Sequence, residues 1–303
     1  MSAFQTIATG DLKDVVVSND GKTVYVSNGE GVVNAFNVAT GDFVARWKVG
    51  TTLGGMDLSQ DGRYLVATEQ VAVTTGVNGS SYTIAAVVHV LDLTTGQVRD
   101  YTMSKTDSPQ PFYDAVFTAD GKILLSDGAY WRPLTVLDPG TGVFEQGTTG
   151  YAEDGVFSAA RDGTKVIFTP GNISDMPIFI YQMGSGVTIG HQNYQDGVQG
   201  YNSGFQAISP SGDLIIQGGN IYDGNLKFKG TLATFQKEQI YPGGMSFSPD
   251  GASLYVLNTA SAKILQLSTT DWSIQRAFDS GLVSSGSYYG LYNGGAYGDR
   301  VTV

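Results

Sequence analysis

Apolar and polar positions alternate along most of this chain in short runs that break at turns. Val15-Val16-Val17 leads into Ser18-Asn19-Asp20-Gly21, and Val24-Tyr25-Val26-Ser27-Asn28 follows. The same order returns around Asp61-Gly62, Asp120-Gly121, Asp162-Gly163, Ser211-Gly212 and Asp250-Gly251. A two-residue period predicts strands, and Asp-Gly between two such runs predicts a hairpin, because glycine takes the positive φ the tight turn requires. A second hairpin follows each of these. It turns at Thr40-Gly41, Thr95-Gly96 and Thr141-Gly142, with looser versions at 178–187, 221–226 and 264–274.

The turn glycines at 21, 62, 121, 163, 212 and 251 are spaced by 41, 59, 42, 49 and 39 residues. Two hairpins per unit of about 40 residues make four strands per unit, the pattern of a β-propeller blade. Six complete units span about 13–278. The flanking stretches 4–8, 288–292 and 299–303 read as further strands. The expectation is one all-β propeller domain over residues 1–303. Seven blades are favoured, the last closed by N- and C-terminal strands so that its edges are covered, with six as the alternative. The 59-residue interval marks an insertion at about 69–82, expected as a long loop, with a hairpin reaching a neighbour as the alternative.

The repeat resembles the YVTN type of bacterial β-propeller, within the WD40-like and lactonase-like propellers. The residues that carry the resemblance are Ser248-Pro249-Asp250-Gly251, the strand ends Tyr25-Val26-Ser27-Asn28 and Tyr255-Val256-Leu257-Asn258, and the hairpin Asp92-Leu93-Thr94-Thr95-Gly96. It covers about nine-tenths of the chain and is specific for fold. Its motif residues make turns and strand contacts, so it carries no catalytic residue onto this sequence. Members of the group are surface-layer proteins, secreted binding modules and, more distantly, lactonases and a histidine-dependent lyase.

Composition narrows the chemistry. The 303 residues include 41 glycines, no cysteine and two histidines, with 17 basic against 28 acidic side chains and a net charge of −11. Absent cysteine excludes disulfides, thiolate metal sites and cysteine nucleophiles. The acidic balance argues against nucleic acid and anionic membrane surfaces, which bind through basic residues. No apolar stretch is long enough for a membrane span, so membrane insertion is not expected. No signal peptide is visible at Met1-Ser2-Ala3-Phe4-Gln5. An extracellular or cell-surface location is expected from the family resemblance, with a cytoplasmic one left open. No cofactor is expected, and no metal. Gly294 to Val301 loosely resembles a calcium-binding glycine–aspartate repeat, but its spacing is off and it occurs once.

Blade topology places the Asp-Gly and Thr-Gly hairpins on one face. The loops that lead into each inner strand, and those joining the second strand to the third, share the other. Irregular loops on a rigid scaffold usually carry function, so this loop face holds the candidate ligand-binding residues. They are Tyr113, Asp114, Tyr130, Trp131, Arg132, Tyr151, Tyr194, Tyr201, Tyr241 and Tyr288. Aromatic rings can stack on sugars or peptides while amides and carboxylates bond hydroxyls. The turn aspartates are expected to be turn formers. His89 lies in an alternating strand and reads as structural. His191 lies in a polar loop and, with Glu153, Asp154 or Asp196, is the candidate acid–base set. The expected function is a non-catalytic, secreted or cell-surface binding and scaffold module for a glycan, peptide or protein partner. A lactonase- or lyase-type enzyme is the alternative. A self-assembling structural subunit is the further one.

Overall fold

The computed structural model describes residues 11–78, 81–106, 110–128, 132–147, 155–170, 178–189, 205–232, 240 and 242–280. Its strands form six antiparallel sheets, the blades of an all-β propeller. The first sheet comprises Leu12–Val17 (β1), Thr23–Asn28 (β2), Val32–Asn37 (β3) and Phe43–Lys48 (β4). The second comprises Leu53–Leu58 (β5), Tyr64–Glu69 (β6), Val73–Asn78 (β7), Ser81–Asp92 (β8) and Val98–Thr106 (β9). The third holds Phe112–Phe117 (β10), Ile123–Asp127 (β11), Thr135–Asp138 (β12) and Val143–Gln146 (β13). The fourth holds Val156–Ala159 (β14), Lys165–Thr169 (β15), Phe179–Gln182 (β16) and Gly186–Ile189 (β17). The fifth holds Gln206–Ile208 (β18), Leu214–Gln217 (β19), Asn220–Asp223 (β20) and Phe228–Thr231 (β21). The sixth holds Pro242–Phe247 (β22), Ser253–Asn258 (β23), Lys263–Ser268 (β24) and Ile274–Asp279 (β25).

Among the described residues six blades are present, the number given as the alternative, and the favoured seven is not supported. The segments 4–8, 288–292 and 299–303, expected to build another blade, lie outside the described residues. The chain falls into two compact units, one with the first three blades and one with the last three.

The turn chemistry is what the sequence demands. Gly21, Gly62, Gly121, Gly163, Gly212 and Gly251 all have φ between +68° and +78°. The preceding hydroxyls of Ser18, Ser59, Thr118 and Ser248 donate to Asp20, Asp61, Asp120 and Asp250 at 2.5–2.6 Å, so these aspartates brace turns. The second hairpins use Gly41, Gly96 and Gly142 in the same left-handed conformation. In the sixth blade the equivalent residue is Trp272, at φ +59° and 7% exposed. Its N–H bonds Ser268 as the Gly41 N–H bonds Asn37. Indole burial, worth about 2–3 kcal/mol, outweighs the about 1–2 kcal/mol strain of that backbone for a non-glycine residue.

The insertion after β6 is a hairpin, not the expected long loop. The 12-residue β8 pairs through its C-terminal half with β6 and through its N-terminal half with β7 (Thr68 opposite Val88, Val73 opposite Ala85). β-branched Val73, Thr74, Thr75 and Val77 favour extended backbone, and pairing satisfies amides a loop would leave unpaired.

Sheets stack through apolar faces. Val33, Leu53, Met56, Leu65 and Leu91 join the first two sheets, and Val88, Phe112, Ala115 and Leu125 join the second to the third. In the other unit, Ile167, Ile180, Ile215 and Tyr222 join the fourth and fifth sheets, and Ile216, Ile221, Met245 and Leu265 the fifth and sixth. Carboxylates tie neighbouring inner strands. Asp14 Oδ2 accepts the Met56 N–H at 2.6 Å, and Asp57 Oδ2 accepts the Phe117 N–H at 2.8 Å.

Candidate functional site

The first three blades meet at two junctions, and on the hairpin face these differ. At the first, the Asn19 side-chain amide donates to the Ser59 and Gln60 carbonyls at 3.3 and 2.8 Å. Trp47, paired with Val33, lays its indole over the next sheet's turn, where a Cβ on Gly96 would stand 3.3 Å from Nε1. At the second, Gln60 occupies the place of Asn19 in the repeat and makes no such bridge among the described residues. Tyr101, paired with Val88 as Trp47 is with Val33, takes the place of the indole and donates from its hydroxyl to the Pro139 carbonyl at 2.6 Å. Without that bridge, and with a phenol ring in place of the larger indole, the junction holds a cleft of about 890 Å³. That size is in the range of small-molecule sites, about 300–1,000 Å³.

Its walls come from turns, which a rigid strand pair holds in place. The 59–64 turn brings Gln60, Asp61, Arg63 and Tyr64, and the 92–101 hairpin brings Asp92, Thr95, Gln97, Arg99 and Tyr101. The third sheet contributes Phe117, Thr118, Asp120 and Pro139. Charges here are largely internally satisfied. Arg63 donates to Asp92 Oδ2 from Nη2 at 2.8 Å and Nε at 3.2 Å while its guanidinium sits 4.9 Å from the Tyr64 ring centroid. Arg63 followed by the Thr94 and Thr95 amides holds the Asp92 carboxyl below its usual range. The Ser59 hydroxyl and the Arg63 amide do the same for Asp61. Arg99 reaches the Tyr101 hydroxyl at 3.3 Å. The cleft thus offers fixed acceptors, two guanidiniums, amides, hydroxyls and aromatic edges.

Sequence reasoning looked to the opposite face. Of its ligand-binding candidates, Tyr113, Asp114 and Arg132 lie in the described residues. Asp114 is 4% exposed, and its carboxylate accepts the Ala115 N–H at 2.8 Å and fills the space a Cβ on Gly55 would need. It braces strands beneath the surface. Tyr113 is half-buried, and its carbonyl accepts the Thr68 hydroxyl at 3.1 Å. Arg132 is half-buried near a buried ion pair in which Lys105 Nζ meets Asp127 Oδ2 at 2.6 Å. Burial lowers the Lys105 pKa, and the Arg132 charge adds to this against the pull of Asp127. Tyr130, Trp131, Tyr151, Tyr194, Tyr201, Tyr241 and Tyr288 lie outside the described residues, as do His191, Glu153, Asp154 and Asp196. Among the described residues no group of three or more acidic or histidine side chains is placed to hold a metal ion.

His89, read as structural from its strand, is buried yet meets two carboxylates. Its Nδ1 is 2.8 Å from Asp100 Oδ1 and its Nε2 3.3 Å from Glu69 Oε2. Residues 20 and 11 positions away supply these partners through the β6–β8 and β8–β9 registers. No local motif signals them.

No protein-family model and no curated protein sequence matches this chain. Among solved structures, Kuenenia stuttgartiensis hydrazine synthase is similar in fold, with a TM-score of 0.58 and 15% identity over 88% of this chain and 80% of that one. At that identity the likeness shows the fold alone: an all-β propeller.

Proposed function

We propose that this chain is a non-catalytic binding module built of YVTN-type repeats, acting outside the cell or at its surface, and that it takes a neutral oligosaccharide in the hairpin-face cleft. The observation that carries this reading is a cleft at the second junction, where Gln60 and Tyr101 stand at the repeat positions from which Asn19 and Trp47 reach the neighbouring sheet at the first. Three carboxylates and two guanidiniums in one wall set disfavour a polyanion, which would meet Asp61 and Asp120, and the Arg63–Asp92 pair presents fixed polar edges to hydroxyls. Turn donors hold Asp61 and Asp92 ionised, which suits hydrogen-bond acceptance better than proton transfer.

The test refills the gap. The double variant Gln60→Asn, Tyr101→Trp copies the closed junction, and a panel of neutral oligosaccharides is titrated against both proteins by calorimetry. The reading expects at least one panel member to bind the unmodified chain and to lose tenfold or more in affinity in the variant, at an unchanged melting temperature. No binding to any panel member, or equal binding by both proteins, overturns it.

A further inference from the structure

The Glu69–His89–Asp100 cluster stands apart from the cleft and from every candidate read in the sequence. Both imidazole nitrogens face carboxylate oxygens, at 2.8 and 3.3 Å. A neutral imidazole carries one N–H, so in either tautomer a lone pair would point at an anion. Glu69 cannot readily give way. Its Oε2 accepts the Thr51 N–H at 2.6 Å, and its Oε1 accepts the Thr52 N–H at 2.8 Å and the Val71 N–H at 3.3 Å. Asp100 is free to move, with a side chain 61% exposed against 6% for both His89 and Glu69. Segment 49–52, which connects the first sheet to the second, packs directly on the cluster. A Cβ on Gly50 would lie 2.6 Å from both Glu69 Oε2 and His89 Nε2.

We propose that His89, charged between its two carboxylates, latches segment 49–52 to the second blade, a pH-responsive fastening on the loop face. The charged groups acting on it are Glu69 from β6 and Asp100 from β9, while the 49–52 segment contributes backbone N–H groups to Glu69. Burial disfavours the imidazolium, but the hydrogen bonds and charges of these two carboxylates outweigh it and raise the His89 pKa. A group whose folded pKa is raised contributes stability that is whole below its unfolded value, about 6.5, and is lost as pH rises through the folded value. The latch therefore closes on the acid side and opens on the alkaline side. On opening, the imidazole keeps its N–H toward Asp100 at 2.8 Å, and its Nε2 lone pair then faces the Glu69 carboxylate that holds the Thr51 and Thr52 amides.

Only two histidines are present, so nuclear magnetic resonance of the histidine-labelled full chain, with His191→Gln to assign the pair, reads the latch directly. The His89 signals should show both ring nitrogens protonated at pH 6.5 and a midpoint above 6.5. Asp100→Asn, at an exposed position, should lower that midpoint by about one pH unit, a tenfold loss in proton affinity. Protection of the Thr51 and Thr52 amides from exchange should fall about tenfold across the midpoint, beyond the intrinsic rise with pH. A midpoint at or below 6.5, or one that Asp100→Asn leaves in place, overturns the assignment of charge. Unchanged amide protection across the midpoint overturns the latch.

Discussion

The Lys105–Asp127 pair lends itself to a quantitative prediction, because the structure sets both its size and its pH dependence. Both side chains are 5% exposed, and Lys105 Nζ also donates to the Gln110 carbonyl at 2.7 Å and lies 5.0 Å from the Phe112 ring centroid. Asp127→Ala removes the countercharge and leaves a buried ammonium. Stripping the proton from a lysine of ordinary pKa 10.5 at pH 7 costs about 5 kcal/mol, which is the ceiling, because the group neutralises before it bears more. The carbonyl and ring that remain recover part of this, so we expect about 3–4 kcal/mol, in line with other broken buried pairs. Between pH 7 and 10 the penalty should shrink by up to about 1.4 kcal/mol per pH unit, since the stranded lysine is neutral when folded and the unfolded chain gives up its proton as pH rises. The double variant Lys105→Met, Asp127→Leu should fall within about 1 kcal/mol of the unmodified protein, because an apolar pair of similar volume needs no countercharge. Urea midpoints at constant slope, read at pH 7, 8.5 and 10, measure all three. A cost for Asp127→Ala below about 1 kcal/mol at pH 7, or one that does not change with pH, would refute the reasoning.

Two further outcomes follow from local geometry. Gly55→Ala places a Cβ 1.8 Å from Asp114 Oδ1 and 2.8 Å from its backbone Cα, so it should destabilise by about 3 kcal/mol. Gly121→Ala, with open space around it and a φ of +78°, should cost only the about 1–2 kcal/mol of left-handed backbone; equal thermal shifts in the two variants would contradict this. On the acid side, burial opposes ionisation of Glu69, but donors from His89, Thr51, Thr52 and Val71 outweigh it and lower its pKa. Its contribution is present above the ordinary carboxylate value of 4.5 and lost as pH falls below it, so the melting temperature of Glu69→Gln should vary less with pH below 4.5 than that of the unmodified chain.

The parts of the fold that were legible in the sequence are those set by neighbours in the chain. Asp-Gly and Thr-Gly turns, the alternation on either side of them and the roughly 40-residue period are local facts; the turn glycines reappear in the structure with positive φ, and four of the Asp-Gly turns carry a hydroxyl–aspartate brace. Trp272 was not legible as a left-handed turn residue, because only its burial makes that conformation tolerable. The hairpin at 73–78 was obscured by glycine, serine and asparagine in the insertion, and pairing with a long β8 decided it. For the site, the sequence pointed to aromatic loops, whereas the described cleft lies at a junction where Gln60 makes no bridge and Tyr101 stands in place of a tryptophan. That difference is visible only when Gln60 is compared with Asn19, and Tyr101 with Trp47, in one register. Asp114, a candidate because its segment was placed on the loop face, is buried because its strand turns it toward Gly55 of the preceding blade.

The sequence by itself determined an all-β chain of repeated four-stranded blades, since turn propensity and period-two alternation act over a few residues. Tertiary structure alone decided which side chains share a space. His89, Glu69 and Asp100 are joined by strand register across up to 31 positions of chain, and the cleft at the second junction depends on which side chains bridge neighbouring sheets. Such contacts are fixed by packing, and packing is a property of the folded chain rather than of any stretch within it.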